Sequence, residues 1–488
     1  MRKAEERLII RRIVEQKRKD VAQSRKNMPL RDIISCCKRG TKKRNFLTAV
    51  KGKHNLIAEI KFRSPSKGIL RRKTDRNLKK IVSGYDLYAS ALSVVTDRRF
   101  FGGSLDLLMK VKSLTSMPVM RKDFIIETYQ VYESAYYGAD AILLIASLLS
   151  EERLRGMIRK AEGLGMHCIV ETGTVDDVKK AIKAGAGIIG INNRNLETMR
   201  VDTGRTSRLK ALIPKDRIVI SESGIRKIED VKLMDTNAVL VGTSLMEADD
   251  IPKKIRSLHR CKTKICGIRT LKEASHAVRA GADILGFNFH PGSPRYISPS
   301  CAAKIIARLP NTVQAAGVFV DNSIDDIASI TADTGIDLIQ LHGSENENFA
   351  VKLIENVNCP LIKACRISNR HCSGSLSYQR KLIHEKSSKY YALLVDAYSP
   401  SRYGGTGEQV KPEDLKEILM RCKADLRDKN NGMSVGGRII IAGGLRPSNV
   451  RDVLALRPFC VDVCSGVESK PGRKDSVKVA DFISRVGS

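Results

Sequence analysis

The chain contains no tryptophan, and aromatic residues make up only 5% of it. Proteins that hold single strands of nucleic acid stack bases on aromatic rings, and no such platform is evident. Acidic residues are scarce beside basic ones: 53 Asp and Glu against 86 Lys and Arg leave a formal charge of +33. An excess of that size suits a nucleic-acid partner or a protein that draws in phosphorylated metabolites. The positive charge is spread along the whole chain rather than gathered in one block, so nucleic-acid binding is disfavoured and small phosphorylated substrates are the expected partners. Long apolar runs are missing too. The longest, Ala139 to Leu149, contains Asp140 and Ser147 and falls short of a membrane span. The N-terminus is charged and lacks an apolar signal core followed by a cleavage site, so a cytoplasmic protein without a membrane partner is expected. The twelve cysteines include no C-x-x-C pair, and neither Cys460 with Cys464 nor adjacent Cys36 and Cys37 has zinc-site spacing. Mostly buried thiols in a reducing compartment are expected, with no metal.

What is present is enough for two cores. At 488 residues, 42% of them apolar, the chain exceeds one ordinary hydrophobic core and should form two domains. Residues 1–50 read as helices, with apolar stripes at Ile9, Ile10, Ile13 and Val14 and at Leu30, Ile33 and Ile34. This extension is expected to cap one end of a barrel. From residue 56, short apolar runs alternate with amphipathic stretches: 56–60, 91–96, 118–124, 141–146, 167–171, 188–192, 217–224 and 238–242. Gly138 and Gly185 precede strands, where helix C-termini favour glycine. Nearly continuous apolar strands between helices indicate a parallel sheet buried on both faces, and eight such units fit a (β/α)8 barrel. The rhythm then restarts at 263–268, 284–289, 316–320, 338–343, 361–366, 391–396, 438–444 and 460–466. The expected fold is therefore α/β: two tandem (β/α)8 barrels, residues 1–255 with a helical extension over 1–50, and residues 261–488, joined by a short basic junction. A doubly wound open sheet is the alternative, but it would not naturally give eight units twice.

Barrel enzymes place their chemistry at the C-terminal ends of the strands and often hold phosphate on the loops after strands 7 and 8. The first strand runs into Leu56 to Gly68, LIAEIKFRSPSKG, where Glu59 and Lys61 share one face. Other strand ends of the first half supply Lys122, Glu171, Asn192 and Glu222. Lysines and glutamates enclosed together can serve as general acid and base, although a ring of structural ion pairs would use the same residues. Strands 7 and 8 end in Glu222-Ser223-Gly224 and Gly242-Thr243-Ser244, and in the second half in Gly443-Gly444 and Cys464-Ser465-Gly466. Glycine lets backbone N–H groups approach an anion closely. The second half also carries Cys266, Arg295, His342 and Asp396 at or just after strand ends, and a Cys facing an Asp can move protons on and off a sugar carbon.

These residues lie in longer blocks that resemble two known families. IAEIKFRSPSKG, SVVTDRRFFGGSLDLL, VMRKDFIIETYQVYESAYYGADAILLIASLL, IIGINNRNLET and SESGI resemble indole-glycerol-phosphate synthase. KICGIRT, GADILGFNFHPGSPRYIS, GVFVD, IQLHGSE, LLVDAYSP, YGGTGE, IIIAGGL and VDVCSGVESKPGRKD resemble phosphoribosylanthranilate isomerase. The order matches the fused bifunctional enzymes of tryptophan biosynthesis.

The resemblance implies two cofactor-free reactions, a lyase step and an isomerase step, and a monomer is expected. In the second barrel Cys266 would be the general base, Asp396 the general acid and Arg295 the holder of the anthranilate carboxylate, with His342 in the pocket. Gly443, Gly444, Ser465 and Gly466 would bind phosphate. In the first barrel Lys122 would protonate the ketone oxygen, Lys61 would pair with the substrate carboxylate or assist as an acid, Glu171 would transfer protons and Glu59 would orient the lysines. Asn192, Arg194 and Glu222 would bind the substrate, and Ser64, Gly224, Gly242 and Thr243 its phosphate. Two departures stand out. Val410, Lys411 and Pro412 follow Gly407 where the isomerase family has an aromatic and Asp-Trp, and segments 367–390 and 423–437 are longer than usual. Thr243 also stands where Ser is commoner. A barrel protein that has lost catalysis and binds RNA, and a chain with one active barrel, are the competing readings.

Overall fold

The computed structural model describes residues 2–38, 43–65, 67–86, 88–195, 198, 200–367, 390–397, 438–456 and 458–487. Val410 to Pro412, the polar tract within 423–437 and nearly all of 367–390 lie outside the described residues.

Two closed barrels follow one another, each of eight parallel strands in sequential order. The first uses Asn55–Ile60, Ala91–Val95, Val119–Lys122, Ala141–Ile145, His167–Thr172, Ile188–Asn192, Ile218–Glu222 and Ala238–Val241, and closes where Asn55 pairs with Ala238. The second uses Lys262–Cys266, Ile284–Asn288, Gln314–Phe319, Leu338–Leu341, Leu361–Ile367, Ala392–Ala397, Ile439–Ile441 and Cys460–Val463, and closes where Lys262 pairs with Cys460. Closure excludes the open doubly wound sheet. Several strands stop short of the apolar runs that announced them, because their glycine-rich tails leave the sheet. Ser223, Gly224, Gly443 and Gly444 all have left-handed backbones, with φ of 69°, 85°, 81° and 62°. Gly138 and Gly185, at φ 83° and 88°, leave their helices in the same left-handed conformation.

One apolar cluster takes at least one residue from each strand of the first barrel, and is therefore its interior. Ile57, Met120, Ile169, Ile188, Ile220 and Leu240 belong to it, and alternation along each strand fixes which residues follow them inward. Phe46 and Val50, both fully buried, complete the cluster from the short helix Phe46–Val50 and stopper the N-terminal end of the barrel. The helix Arg2–Asn27 ends before Pro29, whose missing N–H and ring do not suit a helix interior. The helix Leu30–Lys38 then packs Ile33 against Tyr129 and Val21. Leu30, expected on that stripe, is instead 42% exposed at the helix start, where no preceding turn exists to lay it against the body.

Asp140, the charge inside the longest apolar run, has a structural reason. Its carboxylate accepts the backbone N–H groups of Arg44 (2.7 Å) and Val119 (2.8 Å) and pairs with Lys112. The stretch read as a junction is mostly the helix Ile251–Leu258, which closes the first compact unit at Leu258. All ten described cysteines are free thiols, but only Cys168 and Cys460 are buried; Cys36 and Cys301 are exposed and the others half-buried. No described helix is long and apolar enough to cross a membrane.

Phe46→Ala removes the largest piece of the stopper and leaves a cavity lined by strand residues. A loss of about 3–5 kcal/mol is expected, read as an earlier urea transition for the unit that carries the first barrel. An unchanged midpoint would show that Phe46 is not packed there.

Candidate active sites

In the first barrel the inward rows run out of apolar residues at the C-terminal mouth. Two residues beyond Ile57 stands Glu59, beyond Met120 Lys122, beyond Ile169 Glu171 and beyond Ile220 Glu222. The chain therefore delivers one charge from each of four strands to a cavity of about 730 Å³, which these residues line together with Lys61, Ser64, Asn192, Arg194, Gly224, Gly242 and Thr243. Lys61 Nζ lies 2.6 Å from Glu59 Oε1. Lys122 Nζ lies 2.7 Å from Glu222 Oε2 and 3.5 Å from Glu171 Oε2. Asn192 donates from Nδ2 to Glu171 Oε1 at 3.0 Å and accepts from the Ser223 hydroxyl at 2.9 Å. Ser64 sits in a small hairpin with its hydroxyl buried and unmatched by any described group.

The electrostatics follow from counting. Glu59, Glu171 and Glu222 face Lys61 and Lys122, so these five carry one negative charge too many when all are ionised, and the one further cation felt there, Arg194, acts on Glu59. Burial opposes the charge on Glu59, yet Lys61 and Lys122 beside it hold its carboxyl below the usual range. Burial also opposes the charge on Lys122, but Glu222, Glu171 and Glu59 together hold the ammonium well above its ordinary range. Glu222 carries the imbalance. Burial pushes it up, Lys122 restrains it, and Glu171 and Glu59 add repulsion, so its pKa rises to about 7. Its Oε1 is buried without a hydrogen-bond partner among the described residues. Two glycines make room for these carboxylates: a Cβ on Gly242 would lie 2.1 Å from Glu59 Oε1, and one on Gly190 2.8 Å from Glu222 Oε1.

The mouth has a roof that the sequence did not assign to any partner. Ile10 and Ile13 of the N-terminal helix line the cavity. Lys17, 5% exposed, anchors that helix by ion pairs to Asp97 (3.1 Å) and Asp123 (2.8 Å) on the loops after strands 2 and 3. Burial works against the Lys17 charge, but Asp123 and Asp97 outweigh it and raise its pKa. Asp123 adjoins Lys122 and is also bound by Arg121 at 3.0 Å. A lysine among many on a basic helix gives no sequence signal of this kind.

In the second barrel Cys266, Arg295, His342, Asp396, Gly443, Gly444 and Ser465 line one smaller cavity. Gly466 does not line it, but lies where a Cβ would strike Leu445 O at 1.8 Å, so it lets the loops after strands 7 and 8 touch. His342 Nε2 is 3.2 Å from Asp396 Oδ2, and its Nδ1 meets Gln340 Nε2 at 2.8 Å. Arg295 grips Glu468 through Nε and Nη2, both at 2.8 Å, and Lys474 holds the same carboxylate at 2.9 Å. Neither Glu468 nor Lys474 was evident from the sequence, because they follow the last strand in a hairpin rather than ending a strand. Inside the barrel Lys264 and Asp462 form a buried pair at 2.8 Å. Cys464 lies beside Cys266 in the same cavity, a placement its step of two from Asp462 could have indicated.

The family profile described as "Indole-3-glycerol phosphate synthase" matches residues 10–258, and the one described as "N-(5'phosphoribosyl)anthranilate (PRA) isomerase" matches residues 263–485. The chain is 32% identical over 483 residues to "Tryptophan biosynthesis protein TrpCF" of Buchnera aphidicola subsp. Diuraphis noxia, covering 98% of both chains. It is 33% identical over 452 residues to the protein of that name from Haemophilus influenzae, covering 89% of this chain and 88% of the other. A crystal structure of phosphoribosyl anthranilate isomerase from Thermus thermophilus matches at 31% identity and a TM-score of 0.38, over 46% of this chain and 98% of that one.

Two outcomes follow from the first cavity. Gly242→Ala drives a methyl group into Glu59, so turnover in the first barrel should fall by roughly 100-fold or more while that in the second is unchanged; equal loss in both would point to misfolding instead. Glu222, with a folded pKa of about 7 against 4.5 unfolded, binds its proton more tightly when folded. Its contribution to stability is full below pH 4.5 and is lost as pH rises through 7. Glu222→Gln should remove that part of the decline in urea midpoint between pH 5 and 8, and a variant with the wild-type slope would refute the assignment.

Proposed function

The chain belongs to the family of tryptophan-biosynthesis proteins in which an indole-3-glycerol phosphate synthase precedes a phosphoribosylanthranilate isomerase, and from that premise we propose how each barrel does its chemistry. The synthase occupies residues 1–255, with its helical extension over 1–50, and the isomerase residues 261–488. The observation that carries the reading is that each mouth gathers an acid–base set from strands far apart in sequence: Lys122 with Glu222 and Glu171 in one, Cys266 with Asp396 and His342 in the other.

In the isomerase, N-(5'-phosphoribosyl)anthranilate becomes 1-(2-carboxyphenylamino)-1-deoxyribulose 5-phosphate. Asp396 donates a proton to the ring oxygen as the furanose opens, and Cys266 removes the C2′ proton. His342, in contact with Asp396, steadies that carboxyl and its charge. Arg295 has Nε and Nη2 engaged by Glu468, so its remaining Nη1 meets the anthranilate carboxylate. The left-handed Gly443-Gly444 turn, with Ser465 on the next loop, offers backbone N–H groups to phosphate, and Gly466 lets the two loops come together around it.

In the synthase, that product loses CO2 and water to give indole-3-glycerol phosphate. Lys122, held cationic by three carboxylates, protonates the ketone oxygen as the aromatic carbon attacks. Lys61, on the Glu59 side, pairs with the substrate carboxylate or assists as an acid, and Glu59 fixes the position of Lys61. Glu171, 3.5 Å from Lys122 and hydrogen-bonded to Asn192, moves protons during dehydration. Asn192, Arg194 and Glu222 hold the substrate. Ser64, whose buried hydroxyl has no described partner, binds phosphate with Gly224, Gly242 and Thr243. Ile10 and Ile13 cover the aromatic part of the substrate and keep water from it.

A coupled assay tests both halves on the full chain. Phosphoribosylanthranilate is supplied, loss of its fluorescence is followed, and indole-3-glycerol phosphate is measured. Asp396→Asn should slow the first step by roughly 100-fold or more and leave the second intact when its substrate is added directly. Lys122→Ala should do the reverse and let the ribulose phosphate accumulate. Loss of both steps in both folded variants would sink the two-site assignment.

A further inference from the structure

The two sulfurs of the isomerase cavity are placed as a pair. Lys262↔Cys460 through Ile265↔Val463 set the first and last strands of the second barrel in register, which brings Cys266 opposite Cys464. One rung deeper, Lys264 and Asp462 show that side chains at these positions meet across the strands. Cys266 and Cys464 are close enough for their thiols to interact, and both line the cavity. Lys474 Nζ lies 3.7 Å from Cys464 Sγ and donates to the Cys464 carbonyl at 2.9 Å.

The charges around the pair do not balance without it. Lys264 is cancelled by Asp462. Arg295, from the loop after strand 2, and Lys474 share the single carboxylate of Glu468. One positive charge is left over on the Cys464 side of the cavity. A single thiolate on the sulfur pair would neutralise it, and the better seat is Cys464, which has the Lys474 ammonium on one side and the Cys266 thiol on the other.

We propose that Cys464 is a positioning residue for the isomerase base: it holds the thiolate of the resting site, and it takes the Cys266 proton when Cys266 goes to work. This rests on the assignment of Cys266 as the base. The proton balance is closed. Cys266–SH and Cys464–S⁻ become Cys266–S⁻ and Cys464–SH, and the new Cys266 thiolate then removes the C2′ proton of the substrate. After that proton is returned to C1′, the Cys464 proton passes back to Cys266 and the resting pair is restored. A neutral thiol is a poor base, and the arrangement supplies Cys266 with a thiolate without an additional ionisable group. The electrostatics agree with the geometry. The Cys266 thiol beside it, then Lys474 and Arg295, acting against burial, lower the Cys464 thiol to about 6; the same thiol–thiol interaction and burial push Cys266 upward.

Alkylation of the unmutated full chain with iodoacetamide, mapped by peptide mass spectrometry across pH, reads the pair without turnover. Cys464 should reach half its limiting reactivity near pH 6, against about 8.5 for an ordinary thiol, and Cys266→Ala should move that midpoint upward by removing the donor. Cys464→Ser keeps a hydrogen bond but cannot hold the charge. It should lower isomerase kcat/KM by roughly ten-fold or more and move the acid limb of its pH profile upward, with synthase turnover unchanged. A Cys464 midpoint near that of an ordinary thiol, or an acid limb that stays in place in Cys464→Ser, would overturn the proposal. If instead Cys266→Ser retained isomerase turnover, the base assignment itself would fail, whatever the alkylation midpoint.

Discussion

A closed barrel of parallel strands leaves an inward-facing side chain only two places to go, the packed interior or the mouth. Everything functional here depends on that constraint. Along each strand the residues alternate in and out, so the row that fills the interior with Ile57, Met120, Ile169 and Ile220 must present its next member at the C-terminal rim. That member is Glu59, Lys122, Glu171 or Glu222. Burying four such groups in one cavity is tolerable only because they face one another, since an unpaired buried charge costs far more than a paired one. Closure thus brings the charges together, and pairing lets them stay.

The two mouths use this in opposite senses. The first has one carboxylate more than its lysines can neutralise, and the excess falls on Glu222, whose second oxygen has no partner among the described residues. On the Cys464 side of the second, two cations, Arg295 and Lys474, share the single carboxylate of Glu468, and the excess falls beside Cys464. In each case the unbalanced group is one whose proton is loosely or unusually held, as acid–base chemistry near neutral pH requires. The balanced pairs, Lys264 with Asp462 and Lys17 with Asp97 and Asp123, instead hold elements in place.

Loop geometry after the seventh strand is shared. Ser223-Gly224 and Gly443-Gly444 both turn through two successive left-handed residues at the corresponding place in their barrels. Glycine takes that conformation at little cost, whereas Ser223 takes it at some strain, and its hydroxyl is engaged by Asn192 of the neighbouring strand. The helical extension serves both ends of the first barrel, with Ile10 and Ile13 over the mouth and Phe46 and Val50 beneath.

The sequence by itself determined the sixteen apolar runs, their division into two sets of eight and the charged or thiol residue at the end of each functional strand, because periodicity and strand-end position are local properties. It also carried the motifs that tie the chain to two enzyme families. It did not determine which of those residues touch. That Lys122 meets Glu222 rather than Glu59, that Arg295 is clasped by Glu468, that a lysine of a basic helix is buried between two aspartates, and that Cys464 lies against Cys266 are facts of register and closure. Only the tertiary structure decided them, because a contact across a barrel depends on how distant strands are staggered, and no residue's neighbours in the chain record that.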